Sequence, residues 1–196
     1  MPHLHPDDQT RHDAVLDAAV GLFSANGYAG TAVPEVAKAA RVGLGTLYRY
    51  YPSKRELVNG AYRHCKRQLQ QILLHEFPWQ APLREQFHEV WGRLHLFATR
   101  NPEGFAFLEL HHHEPYLDDE SRAVEFEVLA PIATFYVQGQ AAGAIADLPP
   151  PIGISMVWGA FVGLIKSERA GYLTVTENVL NAAEAAAWKT IAKESS

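Results

Sequence analysis

Three residues, Arg41-Val42-Gly43, separate two short stretches of helical apolar spacing, and nothing else in this chain restricts its fold as much. Upstream, Val15, Ala18, Ala19 and Leu22 recur at i, i+3, i+4 and i+7 with Phe23 beside them. A helix from about 9 to 25 follows, ended by Asn26-Gly27. Val33, Val36, Ala37 and Ala40 repeat the spacing in a second, shorter helix; Thr31 offers its N-cap oxygen, and Pro34 falls in its first turn, where a missing N–H does no harm. Beyond the turn, Leu44, Leu47, Tyr48 and Tyr51 share helical spacing until Pro52 breaks it, and Ser53 caps a long helix from about 54 to 76. Three short helices and a long one, with a tight connection between the second and third, predict a helix-turn-helix.

The remainder also reads as helical, over about 82–100, 103–113, 119–142, 150–170 and 174–192, with Pro131 expected to kink the third of these. There is no sustained alternation and no hairpin signal between β-branched runs, so the expected fold class is all-α. At 196 residues and 47% hydrophobic, the chain can bury a substantial core. The start MPHLHPDDQT lacks a secretory pattern and no apolar run reaches the roughly 18–20 residues of a membrane span, so a cytoplasmic protein is expected. The single cysteine, Cys65, falls on the apolar side of a helix.

A net charge of −5 opposes a nucleic-acid partner only until it is divided along the chain. Residues 1–67 carry nine Lys and Arg against six Asp and Glu, whereas residues 68–196 carry eight against sixteen. A small basic module on an acidic body is the reading, and only the module need meet an anionic polymer.

The stretch GLGTLYRYYPSK, residues 43–54, concentrates the basic and hydroxyl groups. On a helical wheel Leu47 and Tyr51 point one way with Leu44 near them, while Gly45, Thr46 and Arg49 point the other way, flanked by Tyr48 and Tyr50. Glycine on a solvent-facing helix costs about 1 kcal/mol relative to alanine, so a bare backbone there implies close approach. In a major groove Gly45 admits the base edges, the Thr46 methyl packs on thymine, and Arg49 forks onto guanine or a phosphate. The tyrosine hydroxyls and Lys54 suit phosphate oxygens. Tyrosines at this spacing also serve as core, which leaves that alternative open from the wheel alone.

The run AAVGLFSANGYAGTAVPEVAKAARVGLGTLYRYYPSKRELV, residues 18–58, resembles the DNA-binding domain of the TetR family of transcriptional regulators, with its pieces in the expected order. The resemblance implies that Thr31 and nearby amides meet phosphate, that Gly45 and Thr46 enter the major groove, that Tyr48 and Tyr50 hold phosphates, that Lys54 holds the backbone, and that Tyr51 is core. Arg41 stands where the family's turn commonly has glycine and is read as an added phosphate contact. Gly43 and Leu44 replace a frequent serine cap and polar residue. The implied organisation is a helix-turn-helix domain over 1–53 and a helical effector-binding and dimerisation domain over 54–196.

A recognition helix this short makes too few contacts alone, so a homodimer reading two half-sites of double-stranded DNA is expected. Trp158, Gly159, Phe161, Val162 and Gly163, with Val179, Ala183 and Ala187 of the last helix, are the expected interface, which in the family is a four-helix one. The middle helices are rich in aromatic residues, and the resemblance implies an effector pocket there, with Trp91, Phe107 and His113 its named candidates. The run His111-His112-His113 cannot chelate one ion, because successive helical residues point about 100° apart, so no metal and no cofactor are expected. The leading function is a ligand-responsive repressor released by a small apolar or aromatic effector. The alternatives are a helical interaction protein that has lost specific DNA binding and a metal-dependent enzyme using the His-rich helix.

Overall fold

The computed structural model describes residues 6–110, 113 and 115–193, and these are all-α: α1 (Pro6–Gly30), α2 (Val33–Ala39), α3 (Leu44–Tyr50), α4 (Lys54–Leu74), α5 (Leu83–Arg100), α6 (Pro102–Leu110), α7 (Asp119–Ala141), α8 (Pro150–Arg169) and α9 (Glu177–Ile191). The expected helices are all present, with ends differing by a few residues, and α7 runs continuously through Pro131. No strand occurs among the described residues; residues 145 and 192 form one isolated bridge.

The chain packs as two units. The first comprises Met1–Gln71 and Thr99–Glu125, and the second Ile72–Ala98 and Phe126–Ser196. This division differs from a boundary at residue 53/54, because most of α4, together with α6, packs with the head helices.

In the first unit Val15, Leu16, Ala19, Val20 and Phe23 of α1 are buried with Val33, Val36 and Ala37 of α2 and Leu47 of α3, as the spacing requires. Gly27, at φ 70°, interrupts α1 where the sequence places its stop. Ser53 caps α4: its hydroxyl accepts from the Glu56 amide at 3.2 Å, and Glu56 reaches back to it at 3.3 Å. Tyr51 is core, as expected; its ring occupies the space where a Cβ on Gly60 would lie, and its hydroxyl bonds His12 Nε2 at 2.8 Å. Burial pushes the Tyr51 phenol up to about 12 and the Cys65 thiol up to about 12, which removes that thiol from nucleophilic chemistry.

Asn59 joins α4 to the segment before α7 with every valence of its amide used. Its NH₂ donates to the carbonyls of Arg55 and Tyr116, both at 2.8 Å, while its oxygen accepts from the Asp118 amide at 2.9 Å and the Ser121 hydroxyl at 2.8 Å. Arg63 adds bonds to the Asp118 carboxylate at 3.0 and 3.1 Å.

In the second unit Arg93 donates to the carbonyls of Ile72, Leu73 and His75, supplying partners and positive charge at the end of α4. Buried Glu184 of α9 takes Arg84 of α5 through both oxygens, one of them at 2.6 Å. Trp91 sits edge-on to Phe161, their centroids 5.3 Å apart.

Candidate nucleic-acid interface

The turn between α2 and α3 is built from hydrogen bonds that force one residue into a left-handed conformation. The Val42 amide donates to the Ala37 carbonyl at 3.0 Å and the Arg41 amide to the Lys38 carbonyl at 3.2 Å. Gly143 and Gly171 occupy the equivalent place at the ends of α7 and α8 with φ of 70° and 75°, but here the residue is Arg41, at φ 55°. The cost of a side chain in that region is about 1–2 kcal/mol, and the guanidinium is presented at an exposed corner.

From that corner the exposed surface continues through Gly43, Leu44, Gly45, Tyr48 and Arg49, with Thr46 and Tyr50 half-buried beside it. A Cβ on Gly45 would meet nothing within 4 Å, so the backbone is bare outward and no intramolecular packing explains the glycine. Leu44 corrects its place on the wheel: it is 40% exposed and belongs to this surface, not to the core. Only Leu47 is buried among the residues of α3, because a two-turn helix has room for one anchoring row.

Thr31 requires a correction. The residue is 2% exposed, and its hydroxyl donates to the carbonyl of Gly27 at 2.8 Å, with the Leu22 carbonyl 3.1 Å away sharing the same proton. It therefore closes the end of α1 and does not cap α2, whose N-cap is Ala32. Any phosphate contact at this point is left to backbone amides.

The two tyrosines differ. Tyr48 is 43% exposed and makes no hydrogen bond within the described residues, leaving its proton for an outside acceptor. Tyr50 gives its proton to the Asp8 carboxylate on α1, and the same carboxylate lies 3.7 Å from the Arg49 guanidinium. That bond to Asp8, then burial, raises the Tyr50 phenol above its ordinary range. Phosphate oxygens only accept, so Tyr50 cannot serve one while Asp8 holds its single proton. Asp8 carries no signal in the sequence, since 42 residues separate it from Tyr50.

Lys54 is half-buried at the start of α4, with its ammonium 4.7 Å from the centroid of Tyr28 and donating to the Ala29 carbonyl at 3.4 Å. Tyr28 in turn stacks on Tyr116 at 4.8 Å. The lysine is thus held in place by an aromatic face that leaves its charge uncancelled.

The three pocket candidates fall in different units. In the first, Phe107 and His113 pack edge to face at 4.6 Å; His113 Nε2 donates to the Phe107 carbonyl at 2.6 Å, and Nδ1 and the Tyr116 hydroxyl share a hydrogen bond of 2.6 Å. A carbonyl cannot donate, so Nε2 carries a proton. Trp91 is buried in the second unit. His111 and His112 lie outside the described residues, among which no group of three or more His, Cys, Asp or Glu side chains is arranged to hold a metal.

The expected dimer residues also divide. Gly159 and Gly163 are exposed on α8 in line with Ile152 and Met156, and Trp158, Val179 and Ala183 are half-buried. Phe161, Val162 and Ala187 are corrections: they are buried inside the second unit, because the α8 and α9 stripes that carry them pack within this chain.

An N-terminal helix-turn-helix that turns a bare glycine, an unengaged tyrosine and fixed cations outward defines a DNA-binding protein of the helix-turn-helix class. Residues 15–61 match the bacterial regulatory proteins of the tetR family, and residues 62–193 match the tetracyclin repressor-like C-terminal domain. The chain belongs to the TetR family of transcriptional regulators. An uncharacterized HTH-type transcriptional regulator of Haemophilus influenzae is 22% identical over 181 residues, 92% of this chain and 95% of that protein. The HTH-type transcriptional repressor KstR of Rhodococcus jostii is 45% identical over 51 residues, 26% of this chain and 24% of its own length. A TetR family transcription regulator from Marinobacter aquaeolei VT8 superimposes with a TM-score of 0.89 at 25% identity, covering 97% of this chain and 100% of that one. The protein is accordingly a transcriptional regulator and not an enzyme, and no described helix is long and apolar enough to cross a membrane.

Proposed function

We propose that this regulator acts in the cytoplasm as a homodimeric repressor that binds an inverted-repeat operator through α3 and releases it when a small apolar or aromatic effector binds. In this reading residues 1–53 form the DNA-binding domain and residues 54–196 the effector-binding and dimerisation domain. The observation that carries it is the outward surface of α3, where Gly45 is bare and Tyr48 unengaged. Arg41, Gly45, Thr46, Tyr48 and Lys54 are its DNA contacts in this reading; Arg49 joins them when Asp8 releases it. The family match to a tetracyclin repressor-like C-terminal domain supports ligand control. Dimerisation is supported by the exposed small and apolar row Ile152, Met156, Gly159 and Gly163, where helix backbones can approach closely.

Control requires that effector and DNA favour different arrangements of the two heads, since only a difference in affinity couples two sites. The test is retention of fragmented genomic DNA at physiological salt with excess competitor, followed by sequencing. An enriched inverted repeat is the expected result; a protein that retains no DNA, with or without extracts of its source, would overturn the reading in favour of an interaction protein.

A further inference from the structure

The N-cap and the first two residues of α3, Gly43, Leu44 and Gly45, are all exposed, and none of them has a side chain that can form a hydrogen bond. Neither glycine is demanded by the fold. Gly43 sits at φ −67° and ψ 142°, a conformation open to any residue, and a Cβ there would come no closer than 3.8 Å, to Thr46 Oγ1. A Cβ on Gly45 would meet nothing within 4 Å.

Leu44 is 40% exposed between these two glycines, while Leu47, three residues on, anchors the helix in the core. Its hydrocarbon side chain therefore stands forward from a backbone that is bare on both sides. Residues of the first turn are the ones that meet base edges when a recognition helix enters a major groove. Tyr48, also exposed, follows four residues further along the same face.

We propose that Leu44 is a specificity-determining residue that selects the C5-methyl group of a thymine in the major groove. The proposal rests on the reading of α3 as the DNA-contacting helix and names the base feature it reads. Base edges in that groove present hydrogen-bond donors, acceptors and a single apolar group, the thymine methyl, and a hydrocarbon side chain gains only from the last. Over cytosine, Leu44 would strip water from the N4 amino group and give it no acceptor; over guanine it would do the same to N7 and O6. Thymine is thus favoured by apolar contact while its competitors are disfavoured by desolvation. Contacts to phosphate add affinity without base preference, which leaves the methyl contact to discriminate.

The full-length protein is offered a random-sequence duplex library at physiological salt with excess competitor. The enriched duplex is then resynthesised with each thymine in turn replaced by deoxyuridine, which removes the methyl and nothing else. At the position read by Leu44 the replacement should weaken binding about fourfold, the worth of one buried methyl. At that position 5-methylcytosine should bind better than cytosine. Leu44→Ala should bring the thymine-to-deoxyuridine ratio to unity with a melting temperature close to the parent's, because the side chain is exposed. Leu44→Met, which keeps an apolar side chain of similar volume, should retain the ratio. A merely structural role would instead weaken both duplexes alike and leave the ratio standing. Equal binding of thymine and deoxyuridine duplexes at every position overturns the proposal. So does a thymine preference that survives Leu44→Ala and disappears in Thr46→Ser, which would give the methyl to Thr46. Enrichment of a duplex without a ratio that depends on Leu44 sinks this assignment and keeps the DNA-binding reading; failure to enrich any duplex sinks both.

Discussion

Asp8 and Tyr50 are joined by a hydrogen bond that takes the only side-chain proton of a residue beside the exposed face of α3. Arg49, 3.7 Å from the same carboxylate, is drawn to it as well. The pair is exposed enough that its contribution to stability is small, about 0–1 kcal/mol. Its effect on a polyanion is larger, because DNA must displace or tolerate the carboxylate.

Asp8→Asn should therefore tighten binding to all sequences and steepen the salt dependence by about one unit of slope, as Arg49 becomes free to meet a phosphate. Fluorescence anisotropy across a salt series measures both. Weaker binding would mean that Asp8 serves by holding α3 in position.

Lys54 and Tyr28 separate charge from placement. Lys54→Ala should weaken binding uniformly and flatten the salt slope by about one. Tyr28→Leu keeps the charge but removes its aromatic seat and the stack on Tyr116; it should lower stability by about 1 kcal/mol and weaken binding with the slope unchanged. An unchanged slope in Lys54→Ala would rule out the phosphate contact.

Arg41 exchanges backbone strain for a cation. Arg41→Gly relieves a cost of about 1–2 kcal/mol and adds about 0.5–1 kcal/mol of glycine entropy, so urea unfolding should show a net gain of about 0.5–1 kcal/mol. DNA affinity should fall, with a shallower salt slope. A loss of stability would show that the arginine side chain supports the turn.

Asp118 predicts an acid limit. Burial alone would raise its carboxyl, but the hydrogen bonding of Ser121 and the guanidinium of Arg63 outweigh burial and hold it below the ordinary range. A carboxyl lowered on folding stabilises above its unfolded value of about 3.9, and that stability is lost as pH falls through the folded value. Unfolding free energies between pH 6 and pH 3 should drop steeply below about pH 4, and Asp118→Asn should flatten the drop. An equally steep curve in the variant would place the acid sensitivity on other carboxyls.

Helix order, the turn and most of the outward face of α3 were legible in the sequence because each depends on neighbours within about four residues: periodicity places Leu47 and Val36 inside, and the left-handed turn forces its strain on whatever residue stands at 41. The family was legible for the same reason, since those local pieces come in a fixed order. What local spacing cannot decide is which outward group finds a partner from a distant helix. Tyr48 and Tyr50 read alike on a wheel, yet only Tyr50 is met by Asp8; Thr31 reads as a cap, yet its hydroxyl turns back to Gly27. Phe161 and Ala187 lie on apolar stripes that suit a partner subunit equally well, and packing buries them within one chain. Apolar attraction has no direction, so a stripe says that it will be covered without saying by what, whereas a hydrogen bond needs both partners placed to a few tenths of an ångström. The sequence determined the helices and their order; only tertiary contact decided which donors are used inside the protein and which are left unengaged at its surface.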